Sequence, residues 1–272
     1  MKWQVGEGGA LERAISSHGV RIQVAIEDPA LADAAELRLP PGHRCAPFDA
    51  DYPTFRVRRL KRERYEVAFG ASLLHDEADA AIALRVLGAE VRSFLAQRAP
   101  EHVFVHAGVV AVDDRAIVLP GRSFAGKTTL VGALLRAGAT YYSDELMVVD
   151  AGGLAHPYAC PLSVRGDDPL RPTATVAAAL GAPTGEHAVP IGLVATTAYV
   201  PGASWRPHAE TLAAGAVALM ANTPAARQRP EQVLTVLRRA IAGALVLSGD
   251  RGEADETAAL LINASRAGGA RS

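Results

Sequence analysis

The sequence predicts an α/β protein in which helices flank a mixed sheet, preceded by a small strand-rich segment. Short alternating apolar runs recur through the first hundred residues, whereas strand-like and helical patterns alternate from about residue 101 onward. A glycine-rich motif, PGRSFAGKTTL at 120–130, lies between a predicted strand and a predicted helix. We therefore expect a strand-rich segment at 1–100, ending in a helix, and a larger α/β domain at 101–272.

The composition is that of an ordinary globular protein whose positive and negative charges nearly balance. Of its 272 residues, 49% are apolar, and the formal net charge is -1. Such a balance does not draw the whole surface to nucleic acid or to an anionic membrane. The N-terminus has no apolar signal region, and no apolar stretch reaches the roughly 18 residues needed to span a bilayer. We expect a cytoplasmic protein with no nucleic-acid or membrane partner. Whether it forms a homo-oligomer is left open by the sequence.

The first hundred residues contain two runs of strand type, VRIQVAI at 20–26 and TFRVRRL at 54–60. The basic run RVRRLKRERY at 56–65 has two interpretations. It is a docking strip for an acidic peptide, or it is a solvated edge strand or hairpin whose charges guard against aggregation. A helix is predicted at 77–99, because apolar residues recur there at helical spacing: Ile82, Val86, Leu87, Val91, Phe94 and Leu95.

The glycine-rich motif has a strand before it and a helix behind it. Apolar runs at 103–112 and 116–119 flank the residues DDR, which predicts a hairpin whose second strand leads into the motif. Behind it, KTTLVGALLRAG predicts a helix, and TYYSDELMVVD predicts a strand interrupted by three polar residues. The remaining pattern predicts a strand at 191–200, helices near 209–221 and 230–242, a short strand at 244–248 and a helix near 253–265.

The motif matches the phosphate-binding pattern G-x-x-x-x-G-K-[ST]. Its glycines let backbone N–H groups approach phosphate oxygens, and the helix behind it offers a positive N-terminus. Lys127 would reach the β- and γ-phosphates, and the Thr128 hydroxyl would hold Mg²⁺. The alternative is a glycine turn that binds no nucleotide. The residues expected to bind the nucleotide are Gly121, Arg122, Ser123, Phe124, Ala125, Gly126, Lys127, Thr128 and Thr129, although Arg122 either contacts a phosphate or faces water, and the second is favoured.

Acidic residues follow the motif where a metal-orienting carboxylate is expected, at the end of a neighbouring strand. Asp144 and Glu145 come after the run ATYY, at the place where a parallel neighbour would end. Two acids inside an apolar strand are costly unless a cation or hydrogen bonds compensate them, although a solvated turn is the alternative. His106 interrupts another apolar strand, and it is either a hydrogen-bonded core residue or a group that orients or tunes one carboxylate.

The segment HAGVVAVDDRAIVLPGRSFAGKTTLVGALLRAGATYYSDELMVVD resembles the catalytic domain of HPr kinase/phosphorylase. That family has a His-Gly-Val-type strand, a hairpin, a phosphate loop, a helix and an Asp-Asp pair in this order. The chain is most similar to HPr-kinase-related proteins that lack the usual N-terminal domain, some of which accompany peptide-modification clusters. The resemblance is strong over 102–150, fair over 190–265 and weak over the first hundred residues. It implies a P-loop kinase-like core of HPr kinase/PEP carboxykinase type for 101–272.

The resemblance also implies roles for single residues. Lys127 and the loop hold the nucleotide, His106 matches the family's histidine, and Asp144 and Glu145 stand at its aspartate pair. In that family one acid accepts the proton of the substrate serine, and the other serves the metal or the histidine. We expect Asp144 to be the base, with Glu145 as the alternative. The expected metal-binding residues are Thr128, Asp144 and Glu145.

An arginine is expected to stabilise the charge on the transferred phosphoryl group, and Arg165 and Arg206 are the candidates. The alternative for Arg206 is a surface arginine that stacks on its neighbour Trp205, which is the more common arrangement. Arg165 lies in PLSVRG, which resembles the family's Glu-x-Arg-Gly segment with Ser163 in place of the metal-facing glutamate. This departure weakens the case for a second metal and for phosphorylase activity. The HPr-docking signature is also not visible after this segment.

These observations lead to one expected function and its alternatives. We expect an ATP-dependent kinase that phosphorylates a hydroxyl, on a precursor peptide, a small protein or a small molecule, with Mg²⁺ as cofactor. ATP is favoured over GTP because no N-K-x-D guanine motif is evident. The alternatives are a nucleotide-binding regulatory module without kinase activity and a structural relative that has lost its nucleotide. The sequence does not name the acceptor.

Overall fold

A computed structural model of the protein describes residues 3–121, 126–164, 173–175 and 177–269. The chain divides into two compact units, Met1–Glu101 and His102–Ser272. Each unit contains a mixed sheet and helices, so the general α/β class predicted from sequence is confirmed.

The first unit is built on a mixed sheet. Its strands are β1 Gln4–Val5, β2 Leu11–Ser17, β3 Val20–Ile26, β4 Arg44–Cys45, β5 Thr54–Arg59, β6 Tyr65–Phe69 and β7 Ser72–Ala78, and its helices are α1 Ala32–Glu36 and α2 Ala80–Arg98. Among the described residues the strand order is β1-β2-β3-β5-β6-β7, with β4 paired to β2. The pair of β3 and β5 is parallel, and the other pairs are antiparallel.

Helix α2 covers this sheet with an apolar face. Leu87, Val91 and Leu95 are fully buried in the core that it forms with the strands. The predicted start at residue 77 is wrong, because the chain is still in β7 there and the helix begins at Ala80. Asp79 is the N-cap, since its carboxylate accepts a hydrogen bond of 2.8 Å from the backbone N–H of Ile82.

The basic run at 56–65 forms most of the β5–β6 hairpin. The prediction of a hairpin is confirmed, but the prediction of an edge strand is wrong, because β5 pairs with β3 on one side and β6 on the other. Arg58 pairs with Glu66 across the hairpin at 2.8 Å, and Arg59 lies 3.7 Å from the carboxylate of Asp28. Cross-strand charge pairing therefore accounts for part of the run.

The second unit contains a larger mixed sheet. Its strands are β8 His102–Val112, β9 Arg115–Pro120, β10 Thr140–Ser143, β11 Leu146–Asp150, β12 Ala155–His156, β13 Leu162–Val164, β14 Thr173–Thr175, β15 Ile191–Tyr199, β16 His208–Ala209 and β17 Leu245–Arg251. Its helices are α3 Lys127–Arg136, α4 Leu212–Met220, α5 Pro230–Ala240 and α6 Ala254–Gly269. Among the described residues the strand order is β12-β11-β8-β9-β15-β17-β16, with β10 paired to β8 and a separate pair formed by β13 and β14.

Helices cover the two faces of this larger sheet. Alternation along β8 sends Val109 and Ala111 to a core shared with α4 and α5, and Val110 and Val112 to a core shared with α3 and α6. Leu130, on α3, is 1% exposed, and burying a side chain of this size stabilises the fold by about 1.5–3 kcal/mol. The sheet is thus the rigid middle layer of the unit.

The predicted hairpin before the glycine-rich motif is present. Strand β8 pairs antiparallel with β9 from Ala107↔Pro120 to Val112↔Arg115. Asp113 and Asp114 connect them with φ angles of 50° and 57°, the left-handed values that a two-residue type I′ turn requires. Because the turn sets the register, β9 ends beside Ala107, and the motif begins there.

The acidic segment occupies a different place in the sheet from the one predicted. The expected parallel neighbour is wrong, because β10 pairs with β8 in antiparallel orientation rather than with β9. The predicted single strand is also divided in two, and both β10 and β11 pair with the same edge of β8. Strand pairing of this kind depends on distant residues, which local periodicity does not report.

Gly108 lets α3 approach the sheet closely. A Cβ atom at this position would lie 2.6 Å from Cγ2 of Val131, in the second turn of α3. Such a separation is far below van der Waals contact, so a larger residue would push the helix outward. The position of the helix behind the motif therefore depends on this glycine.

We expect Gly108→Ala to lower the free energy of unfolding by about 1–3 kcal/mol, the range for overpacking a well-filled core. Gly243→Ala is the matched control, because a Cβ there meets nothing within 4 Å and its change should stay within about 0.5 kcal/mol. Urea unfolding of both variants measures the difference. Equal effects of the two substitutions would contradict the proposed close packing of α3.

Candidate functional site

The glycine-rich motif begins where β9 ends and finishes where α3 begins. The backbone N–H of Gly121 donates to the carbonyl oxygen of His106 at 3.1 Å, so the start of the motif is held against β8. Gly126 immediately precedes α3 with φ 73° and ψ 16°, a left-handed conformation that favours glycine. Four of the predicted phosphate-binding residues lie outside the described residues: Arg122, Ser123, Phe124 and Ala125.

Lys127 reaches back from α3 to the start of the motif. Its Nζ donates a hydrogen bond of 2.7 Å to the carbonyl oxygen of Gly121. A compact ammonium on a flexible stem fits such a folded-back position better than a planar guanidinium does. The cationic end of Lys127 therefore lies at the start of the loop, close to the N-terminus of α3.

Asp144 and Glu145 lie in an irregularity between β10 and β11. The Ser143 hydroxyl oxygen accepts hydrogen bonds from the backbone N–H groups of Glu145 (3.2 Å) and Leu146 (3.0 Å). The carbonyl oxygen of Glu145 accepts from the N–H of Ala107, so the interrupted strand stays attached to β8. The serine therefore satisfies backbone donors that the broken ladder leaves unpaired.

Asp144 is the point at which the acidic segment meets the motif. Its Oδ2 accepts a hydrogen bond of 3.1 Å from the Thr128 hydroxyl, and its side chain is largely buried. The Tyr141 hydroxyl lies 3.0 Å from Oδ1 of Asp144 and 2.7 Å from the carbonyl oxygen of Cys160, so its single proton is shared between two acceptors. Burial, together with the charge of Asp144, raises the pKa of Tyr141, which therefore stays protonated.

His106 lies close enough to two site residues for their charges to act on it. Its backbone N–H donates to the carbonyl oxygen of Asn222 at 2.7 Å, and its side chain is partly buried. Burial lowers the pKa of His106, the charge of Glu145 opposes this shift, and the charge of Lys127 adds to it. The imidazole is therefore neutral near pH 7, and it belongs to the same cluster as Glu145 and Lys127.

The donors at this site fit a magnesium ion that also binds phosphate. Mg²⁺ is usually held by one or two protein oxygen ligands together with phosphate oxygens and water. Thr128 and Asp144 supply a hydroxyl and a carboxylate at hydrogen-bond distance from each other. Among the described residues no group of three or more His, Cys, Asp or Glu side chains could hold a metal by itself.

The structure does not bring all predicted residues to one place. The cluster contains His106, Lys127, Thr128, Asp144 and Glu145. Thr129 is exposed, and Arg206 is exposed next to the buried side chain of Trp205. Arg165, the other candidate arginine, lies outside the described residues, and the side chain of Ser163 is likewise not described.

Arg251 lies at the site although the sequence pattern does not indicate it. Its Nη2 donates to the carbonyl oxygen of Gly126 at 3.2 Å, and a Cβ on Gly126 would lie 2.5 Å from this nitrogen. The predicted strand ends at 248, whereas β17 continues to Arg251. The end of β17 could have pointed to Arg251, because the carboxyl ends of parallel strands meet at one edge of a sheet, where ligands bind.

The fold and the site define an α/β protein with a glycine-rich loop beside an acidic pair and a histidine. No protein-family model matches the chain, and a search of the curated proteins finds no match. The similarity to HPr kinase/phosphorylase stays a hypothesis based on the order of the motifs. In the described ranges, no helix combines the length and hydropathy needed to cross a bilayer.

We expect His106 to titrate below its ordinary pKa of 6.5. Glu145→Gln should lower this pKa further, because it removes a negative charge, and Lys127→Met should raise it by removing a positive one. NMR titration of the imidazole resonances measures both shifts, with His106→Gln identifying the signal. Shifts of the same sign in the two variants would contradict the proposed cluster.

Proposed function

We propose that the protein is an ATP-dependent phosphotransferase, similar to HPr kinase, that transfers the γ-phosphate to a hydroxyl group. The observation that most supports it is the hydrogen bond between Thr128 and Asp144. It joins the last residue of a G-x-x-x-x-G-K-[ST] motif to an acid at the break between β10 and β11, a hydroxyl and a carboxylate of the kind that hold phosphate-bound Mg²⁺ in P-loop proteins. The α/β architecture is compatible with a P-loop kinase core of HPr kinase/PEP carboxykinase type, which forms part of this proposal.

The nucleotide would bind over the glycine-rich loop. Lys127 and the N-terminus of α3 present positive charge there, and phosphate oxygens would replace the Gly121 carbonyl as the partner of Lys127. Thr128 and Asp144 would hold Mg²⁺, which when bound neutralises negative charge on the phosphates. Phosphoryl transfer needs mainly such positioning and charge neutralisation from the protein.

The geometry favours Glu145 over Asp144 as the base. Asp144 is 7% exposed, and its two carboxylate oxygens lie within hydrogen-bond distance of the Thr128 and Tyr141 hydroxyls. Glu145 is more exposed, and its charge acts on His106. We therefore assign Glu145 as the base that accepts the proton of the acceptor hydroxyl, with His106 orienting its carboxylate. Asp144 is assigned as a metal ligand.

The acceptor is a hydroxyl-bearing peptide, small protein or small molecule. A serine is the acceptor most compatible with the resemblance to HPr kinase. Neither the charge of the chain nor its described surface points to a nucleic acid, so phosphorylation of a polynucleotide is not part of the proposal.

Lys127→Met should weaken ATP binding by about tenfold or more, because a hydrogen-bonded charge is removed from the phosphates. Lys61→Met is the matched control, since Lys61 is an exposed lysine of the first unit and its loss should leave the affinity unchanged. Calorimetric titration with ATP and Mg²⁺ measures the difference. Wild-type affinity in the Lys127 variant would remove the loop from the nucleotide site.

Glu145→Gln and Asp144→Asn should distinguish the role of the base from that of the metal ligand. Loss of a positioned base typically slows a reaction by about a hundredfold or more, so Glu145→Gln should lose transfer while keeping ATP affinity. Asp144→Asn should instead weaken the Mg²⁺ dependence of ATP binding.

Transfer of labelled γ-phosphate to serine-containing peptide libraries provides the assay, with Asp255→Asn as an exposed control. ATP binding in the wild type without transfer to any hydroxyl would favour a regulatory nucleotide-binding module. Normal transfer by the Glu145 variant together with loss in the Asp144 variant would exchange their roles.

A further inference from the structure

We propose that Arg251 is a second cation of the phosphate site, a positioning residue that holds the Gly126 carbonyl from behind the loop and contributes charge to phosphate binding. This inference rests on the proposed nucleotide-binding function. Its basis is the location of Arg251 in the sheet, its burial, and the absence of an ion pair between Arg251 and any carboxylate of the described residues.

The strand topology brings Arg251 to the loop. Strand β15 pairs in parallel with both β9 and β17, and its pairing with β17 extends to Tyr199↔Arg251. The pairing with β9 ends at Val194↔Val118, so β15 and β17 continue past the point where the phosphate loop leaves the sheet. Arg251 is thereby carried alongside Gly126, the last glycine of the motif.

The Arg251 side chain is buried without full hydrogen bonding. Its relative exposure is 2%, its Nη1 lies 3.1 Å from the carbonyl oxygen of Gly252, and its Nη2 lies 3.2 Å from that of Gly126. Its Nε is buried and has no hydrogen-bond partner. Two neutral carbonyl groups are weak compensation for removing a guanidinium from water.

No carboxylate of the described residues forms an ion pair with Arg251. Glu253, the nearest acid in the chain after it, receives a hydrogen bond from the Tyr199 hydroxyl at 3.1 Å, and the Tyr199 ring lies 5.3 Å from the guanidinium carbon. Burial lowers the pKa of Arg251, the direction expected of a cation taken out of water. The negative charge of Glu253 opposes this shift, so Glu253 compensates Arg251 only from a distance and not through a direct ion pair.

Two further positive groups lie near Gly126. The N-terminus of α3 carries a partial positive charge, and the ammonium of Lys127 lies at the start of the loop. A buried cation next to two further positive groups costs free energy in the ligand-free protein. A di- or triphosphate bound at the loop would place negative charge next to these groups and lower that cost.

Arg251 also connects the loop to the turn at 199–203, which precedes Arg206 in the chain. Its carbonyl oxygen accepts a hydrogen bond of 2.9 Å from Val200, and a Cβ on Gly252 would collide with the carbonyl of Ala203. One residue thus contacts the phosphate loop with its side chain and the turn at 199–203 with its backbone.

A role in phosphate binding and a purely structural role predict opposite results for Arg251→Met. Met fills a similar volume without charge, and replacing an unpaired buried charge in this way is often neutral or stabilising. We expect the ligand-free variant to melt at or above the wild-type temperature, while affinity for pyrophosphate and for ATP falls about tenfold or more. Arg251→Lys should retain more affinity than Arg251→Met, because it keeps the charge.

Calorimetry with inorganic pyrophosphate and with ATP, together with thermal melting, tests the inference, and Arg266→Met is the control at an exposed arginine. Unchanged affinity in Arg251→Met would overturn the role of Arg251 while leaving the nucleotide site intact. A lower melting temperature with unchanged affinity, or loss of folding in both Arg251 variants, would show a structural clamp. A wild-type protein that binds neither ligand would overturn the proposed function and this inference together.

Discussion

The hydrogen bond between Thr128 and Asp144 is the contact on which the site depends, because it joins two segments that reach it by different routes. Thr128 lies in the first turn of α3, whose approach to β8 requires the absence of a side chain at Gly108. Asp144 reaches the same point because the chain leaves β10 before it re-enters the sheet, with Ser143 satisfying the backbone donors at the break. The close packing of α3 on β8 and the interruption between β10 and β11 together bring Thr128 and Asp144 into contact.

The charges around this contact form two opposed groups. Lys127, Arg251 and the N-terminus of α3 present positive charge along the glycine-rich loop, and Asp144 and Glu145 present negative charge beside it. Each group is partly or fully removed from water, which raises the free-energy cost of holding like charges together. Under the proposed function, a polyphosphate would complement the first group and Mg²⁺ would complement the second. This complementarity is the physical argument for proposing a nucleotide-dependent reaction rather than a glycine turn that binds no nucleotide.

Local features of the fold were predictable, whereas strand partners were not. The hairpin through Asp113 and Asp114 follows from a short polar turn between apolar runs, and α3 follows from its apolar spacing. The pairing of β10 with β8 was missed, as was the interior position of β5, because both depend on residues far away in the chain. The start of α2 was set by Asp79, a cap that a purely periodic pattern overlooks.

The sequence by itself determined the spacing of the glycine-rich motif, the presence of an acidic pair and a histidine, and the strand and helix that flank the loop, since these are encoded within short windows. Only the tertiary structure decided that Asp144 meets Thr128 while Glu145 acts on His106, and that Arg251 lies against Gly126. The physical reason is that a β-sheet brings distant strand ends together by backbone pairing, which leaves little trace in the side chains.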